Sequence, residues 1–305
     1  NNIAAILMDQ GRTEEAEAEF RRALTLDPDY TGSYNGLANL NQNFYFRLDE
    51  AHRWFMKAHE LAPSDISISV NLPVIYRTLG LDDQFDRWSR RLQNEGPDHP
   101  IGSVIPVWRE ILARRFDAAL HAWEKAEQRV GGTGGVASGL AQMRCDALRF
   151  SDRASEALSF LTRDFPELMD SPPRVDVTNN NLVACAAAAL KATGRADQLE
   201  ELLEAARRYA ESNIPSVPNR EMYLARIDIA GGREASAIRY LQSAVEAGWV
   251  GGFNWAWSIE EDPDWAPVKD HDDVANARVL IAERLAIQRV AVEQQLQELG
   301  AGALF

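Results

Sequence analysis

Small and large apolar residues return along this chain at fixed distances that place them on one helix face. From Ala16, a large apolar residue follows at the fourth position (Phe20), a small one at the seventh (Ala23) and a proline at the twelfth (Pro28). Ala51, Phe55, Ala58 and Pro63 repeat the set 35 residues later, and Phe85, Leu92 and Pro97 carry most of it another 34 on. Taken in order the anchor is Ala16, Ala51, Phe85, Ala119, Ala157, Leu199 and Ala237, at spacings of 35, 34, 34, 38, 42 and 38. The residue four beyond is Phe20, Phe55, Ser89, Trp123, Leu161, Leu203 and Leu241, large and apolar in all but one, where Trp88 stands next to it. Positions i, i+4 and i+7 share a helix face, so each anchor helix carries a stripe suited to burial between its own first helix and the next unit. A period of this size marks stacked helical hairpins. The pattern predicts about seven.

Turn signals bracket each anchor helix. Gly11-Arg12, Gly80-Leu81, Gly194-Arg195 and Gly231-Gly232-Arg233 fit a glycine that closes the preceding helix in a left-handed conformation. Asp27-Pro28, Ala62-Pro63 and Gly96-Pro97 stop the anchor helix, because proline lacks the helical amide and restricts the residue before it. Pro73 and Pro106 fall inside first helices, which must therefore start late or kink. Two linkers, Gly131 to Gly135 and Asp164 to Asn181, interrupt the array, which is expected to bend there.

These residues resemble the tetratricopeptide repeat. The small residue, the aromatic, the second small residue and the proline of that repeat fall at the spacing of Ala16, Phe20, Ala23 and Pro28, and Tyr34, Leu37 and Ala38 match its first helix. The resemblance implies an all-α fold, a right-handed α-solenoid of about seven hairpins with a C-terminal capping segment and helix. The divisions expected are 1–130 for the regular repeats, the first truncated, 131–248 for degenerate repeats with longer linkers, and 249–305 for a Trp-rich cap and closing helix. Within the cap, Gly248, Trp249, Asp262, Pro263, Trp265, Ala266, Pro267 and Val268 resemble the end of tetratricopeptide regions in bacterial signalling proteins, such as class III nucleotide cyclases and winged-helix regulators. That resemblance implies the docking or sensing region of a regulator whose effector domain lies elsewhere. The alternatives are a stand-alone adaptor or assembly factor and the non-catalytic part of an enzyme. The opening residues read as mid-helix, so a longer polypeptide is expected. The closing helix is expected from about Val274 to Leu299, with Val274, Ile281, Leu285, Val292, Leu296 and Leu299 mostly on one side.

In such arrays the first helices line a concave wall that binds extended or helical peptides. The resemblance places Asn35, Asn39 and Gln42 on it, with Val74 and Arg77, Trp108 and Arg109, and Gln142 and Arg149 from later units. Asn pairs with a peptide backbone and Arg holds a carboxylate in two hydrogen bonds. The lysines that grip an acidic tail in some relatives of this repeat are missing beside Asn35 and Asn39. Trp249, Phe253, Trp255, Trp257 and Trp265 form either a partner surface or, as preferred here, the seal on the apolar face of the last repeat.

Composition narrows the rest. Of 305 residues 46% are hydrophobic and 26% charged, as in folded proteins, and 46 acidic against 32 basic side chains give −14, which argues against nucleic acid. The longest apolar run, Leu182 to Leu190, is far short of the roughly 20 residues that span a bilayer. The partner expected is a protein or peptide; with no secretory signal read, the cytoplasm is the favoured compartment, and the oligomeric state is not legible.

No catalytic, metal or cofactor site is expected. His52 and His59 lie seven apart, whereas helical metal pairs sit four apart; His99 and His121 have no nucleophile and carboxylate at a matching spacing. The glycines at 131 to 135 lack the Lys-Ser/Thr of a phosphate loop. The acids from Glu260 to Asp273 lack calcium-loop spacing and read as helix caps. Cys145 and Cys185 have neither zinc nor thioredoxin spacing and read as small packing residues on inner helices, with a disulfide or redox role as the alternative.

Overall fold

A computed structural model of the chain describes residues 2–95, 99–130, 135–251 and 259–300. Helices fill it, and among the described residues there is no strand. In chain order they are α1 (Asn2–Asp9), α2 (Thr13–Leu26), α3 (Thr31–Leu40), α4 (Leu48–Leu61), α5 (Ile66–Ser69), α6 (Asn71–Thr78), α7 (Asp82–Glu95), α8 (Pro100–Leu112), α9 (Phe116–Val130), α10 (Gly135–Phe150), α11 (Ala154–Asp164), α12 (Val183–Ala192), α13 (Ala196–Asn213), α14 (Val217–Ala230), α15 (Glu234–Glu246) and α16 (Asp272–Leu299). They form the expected all-α repeat fold. By its contacts the chain divides into one compact unit of Asn1–Glu95, Ala247–Ala256 and Ala277–Phe305 and another of Gly96–Glu246 and Trp257–Asn276.

The seven anchors explain the hairpins. Ala16, Ala51, Phe85, Ala119, Ala157, Leu199 and Ala237 lie on α2, α4, α7, α9, α11, α13 and α15, and all are buried. So are Phe20, Phe55, Ser89, Trp123, Leu161, Leu203 and Leu241 one turn on. A small anchor lets two helices approach, and the large residue above it fills the space so formed.

Five residues before each anchor the backbone turns left-handed. Gly11, Gly80, Gly194 and Gly232 do so at φ between +67° and +80°, as their place before the anchor predicts. Phe46, Arg114 and Asp152 fill the same place at +54°, +57° and +58°, although a side chain there is unfavourable. The turn then closes by a backbone bond to the preceding helix, such as Arg12 N to Leu7 O and Arg195 N to Leu190 O, both 2.9 Å. The 35-residue first spacing has a local cause. Residues Asn41–Tyr45 form a π-turn that absorbs the extra residue, with Asn41 Nδ2 donating to Leu37 O at 2.8 Å.

The two prolines resolve differently. The first helix of the third hairpin breaks at Val70, so Pro73 sits in the opening turn of α6, where its missing amide has no helical acceptor to lose. Pro106, in contrast, lies inside α8, which runs through it.

In the second unit the long linker folds on itself. Asn179, fully buried, donates to Arg174 O at 3.1 Å and accepts from Asp176 N at 2.9 Å, while Leu168 enters the core. The other expected linker lies almost wholly outside the described residues. Cys145 of α10 and Cys185 of α12 are joined in a disulfide, with Cα atoms 5.9 Å apart. This corrects the preferred reading of plain packing: the inner helices bring both buried side chains within bonding reach.

Candidate functional site

In the first unit α3, the π-turn after it and α6 carry the predicted wall residues. Asn39 Nδ2 donates to Asn35 O at 2.8 Å, which fixes the Asn39 side chain along its own helix. Asn35 Oδ1 and Gln42 Oε1 are buried acceptors with no hydrogen-bond donor. Both can accept a further hydrogen bond, as can other buried polar side chains of the array such as Ser103. On α6, Val74 is buried and Arg77 half-buried; desolvation lowers the Arg77 guanidinium from its ordinary value, against the opposing charge of Asp82.

The wall residues of the second unit are mostly committed inside the fold. Trp108 is buried and Arg109 half-buried on α8. Gln142 of α10 is buried and accepts from Asn181 Nδ2 at 3.3 Å. The Arg149 side chain is 5% exposed and is held by acids. Its two terminal nitrogens donate to Asp262 at 3.1 and 3.0 Å, Nη2 donates to Asp146 at 3.3 Å, and Nη1 also reaches Asp264. Burial alone would lower this guanidinium, but Asp262, Asp264 and Asp146 hold it above its ordinary value. Burial, with the Asp262 charge added, raises the Asp264 carboxyl even though Arg149 opposes it.

The acids of the cap therefore have two roles. Asp262 caps the short 3₁₀ turn Pro263–Val268 by accepting from Asp264 N at 3.1 Å, and His271 Nδ1 accepts from Asp273 N at 3.2 Å at the start of α16. Capping was legible in the sequence, whereas pairing with Arg149 was not. Trp249 and Trp265 are buried; Phe253, Trp255 and Trp257 lie outside the described residues.

The part of α16 that belongs to the first unit docks by amide side chains. Gln288 donates to Phe46 O at 3.0 Å and accepts from Leu48 N at 2.5 Å, and Gln295 donates to Asp49 O at 3.1 Å. Val292 is buried on this face, Ile281, Leu285 and Leu296 are half-buried, and Leu299, expected with them, is exposed. Val279, Leu280, Ile287 and Val290 stay exposed on the other side. Sequence reading missed both glutamines, because a polar residue on a long helix looks like solvent-facing surface.

The histidines serve the core. His59 Nδ1 pairs with Ser69 Oγ at 2.9 Å and its ring meets Trp88 edge-on at 5.0 Å. No group of metal-binding side chains occurs among the described residues. A cavity of about 700 Å³ opens beside His52, His59, Met56, Arg91 and Leu299. The cations around it are already paired along their own helices, Lys57 with Glu60 and Arg91 with Glu95, both at 2.9 Å. No described helix is long and apolar enough to cross a membrane.

The family model described as "Tetratricopeptide repeat" matches residues 1–30, the stretch that contains Ala16, Phe20, Ala23 and Pro28. No curated protein matches the chain. Among solved structures, the tetratricopeptide domain of P58(IPK) aligns with 99% of this chain and 98% of its own length at 12% identity, but with a TM-score of 0.28, too loose a superposition to bear on the fold. The matched residues hold the first hairpin, α1 and α2, and the later hairpins follow it at a similar period. Arrays of this kind are protein-interaction scaffolds.

Proposed function

We propose that the chain is the docking or sensing region of a bacterial regulatory protein and binds an extended peptide segment along the α3 wall of its first unit. The observation that supports the peptide site is the pair of donorless acceptors Asn35 Oδ1 and Gln42 Oε1, which backbone amides of a bound strand would satisfy once the two side chains turn to the surface. The resemblance of Gly248-Trp249 and Asp262 to Val268 to the end of signalling arrays supports the regulatory setting. The role is binding; no catalytic step is assigned.

Two measurements test this reading. Peptides selected from a random library are titrated against the chain and against an Asn35→Ala/Gln42→Ala variant. A loss of roughly ten-fold or more with unchanged melting is expected, and equal affinity removes the α3 wall as the site. For the setting, the gene upstream of residue 1 should encode a cyclase or DNA-binding effector, and its absence sinks the regulator reading.

The Cys145–Cys185 disulfide favours a second reading, a stand-alone adaptor in an oxidising compartment, because such bonds persist outside the reducing cytosol. Thiol labelling of freshly extracted protein separates the two. Unlabelled cysteines support the adaptor, and full labelling supports a cytoplasmic regulator.

A further inference from the structure

In the second unit a short stretch of the chain is held as a peptide ligand would be. The left-handed residue Arg114 donates from Nη2 to Glu261 O at 2.7 Å. Arg149 takes the Asp262 carboxylate in a two-point grip and contacts Asp264 as well, more than 110 residues away in sequence. Beyond these acids Trp265 and Val268 are buried. The bound stretch, Glu-Asp-Pro-Asp-Trp-Ala-Pro-Val, thus offers one backbone carbonyl and two carboxylates to two arginines and buries its aromatic side chain.

The site is also incompletely used. Arg149 Nε is buried and has no acceptor, and Arg149 and Asp264 line a cavity of about 320 Å³ walled by alanines. Lys191 lines the same cavity, where its charge acts on Asp264. At the same time one guanidinium faces three carboxylates, Asp146, Asp262 and Asp264, so the resident segment brings more negative charge than Arg149 neutralises. A ligand whose acids were shared between Arg149 Nε and Lys191 would fit better than the one in place.

We infer that Arg114, Arg149, Lys191 and the hollow around Trp265 form a recognition site for an acidic Asp-Pro-Asp-aromatic segment, that residues 261–268 occupy it in cis, and that a partner protein with an exposed segment of that chemistry displaces them. The inference rests on the scaffold reading but uses a different surface from the α3 wall. Covalent attachment gives the resident segment a high effective concentration, so the site is silent to weak competitors and answers to a partner that also engages Lys191.

The test titrates a fluorescent synthetic peptide of residues 259–268 against the full chain and a Trp265→Ala variant, which loosens the resident segment and leaves the arginines intact. The variant is expected to bind the peptide roughly ten-fold tighter than the unaltered chain, and Arg149→Gln added to it to abolish the gain. An Asp262→Asn/Asp264→Asn variant provides an independent loosening with the same readout. Equal peptide binding by unaltered and loosened chains overturns the inference, as does loss of helical circular dichroism in both loosened variants, which would make the segment part of the core rather than a ligand. Asn35→Ala leaves this titration unchanged, so failure of the α3-wall reading is seen separately.

Discussion

His52 and Gln295, far apart in sequence, meet at 2.7 Å on the first unit. The Gln295 oxygen can only accept, so His52 Nδ1 carries the proton and Nε2 accepts from the Tyr76 hydroxyl at 3.0 Å. Burial of the ring lowers its pKa from 6.5 to about 4; the Gln295 hydrogen bond opposes the shift and the charge of Arg53 adds to it. Because the folded value is depressed, the unfolded chain binds a proton first as pH falls. Stability from the neutral ring is whole above 6.5 and is lost as pH drops towards 4, by about 3 kcal/mol at the limit. Urea midpoints measured across this range should fall with pH, and a His52→Gln variant should flatten that part of the curve.

Gln288 satisfies both Phe46 O and the first helical amide of α4, Leu48 N. Gln288→Ala leaves two backbone groups unpaired beside a docked helix, so a loss of about 1–3 kcal/mol is expected. Val290→Ala, two residues on and on the exposed side, should change stability by less than about 0.5 kcal/mol. Equal losses in chemical denaturation would show that α16 docks by general contact rather than by its glutamines.

These two contacts mark where sequence reading stopped. The alanine anchors Ala16, Ala51, Ala119, Ala157 and Ala237 were legible because a small residue at a helix crossing has few substitutes and recurs with the period, whereas Phe85 and Leu199 were placed by the period alone. Glycine turns were legible for a similar reason, since Gly11, Gly80, Gly194 and Gly232 adopt a conformation that other residues resist. Phe46, Arg114 and Asp152 hold the same place with no local signature, because tertiary packing overrides their preference. Contacts over long separations, Arg149 with Asp262 and Cys145 with Cys185, leave no trace in spacing at all. Of the predicted wall, Asn35 and Gln42 retain unmet hydrogen-bonding capacity, while Gln142 and Arg149 are taken up by partners inside the fold.

The left-handed turns allow a clean comparison. A Cβ built on Gly194 meets nothing within 4 Å, so Gly194→Ala tests backbone strain alone and should lower stability by about 1 kcal/mol. Asp152→Gly does the reverse at an equivalent position and should raise stability or leave it unchanged, the relief of strain being offset by greater freedom of the unfolded chain. Calorimetric melting of both variants checks the sign.

The disulfide closes a loop between residues separated by 40 positions. Chain-entropy reasoning gives about 4 kcal/mol for a loop of this length. Cys145→Ala/Cys185→Ala should melt lower than the oxidised chain, and reduction of the unaltered chain should reproduce the loss. If the reduced chain melts with the oxidised one, the bond does not stabilise α10 against α12.

Asp262 and Asp264 should respond oppositely to loss of charge. Asp262 gives Arg149 its two-point partner, so Asp262→Asn leaves a buried guanidinium under-compensated and should destabilise by about 3 kcal/mol. Asp264 is the excess acid: burial and Asp262 raise its pKa against Arg149 and Lys191. Asp264→Asn keeps an oxygen for Arg149 while removing the surplus charge, and should be neutral or stabilising near neutral pH. The raised value also fixes the sign with pH. Between 3.8 and the raised pKa the folded chain binds the proton more readily than the unfolded one, so the penalty of the charged Asp264 is present above that range and is relieved as pH falls through it. The difference in urea midpoint between Asp264→Asn and the unaltered chain should therefore shrink on acidification, a trend opposite to that of His52. A difference that grows instead would mean that Asp264 is a stabilising partner of Arg149 and not its surplus.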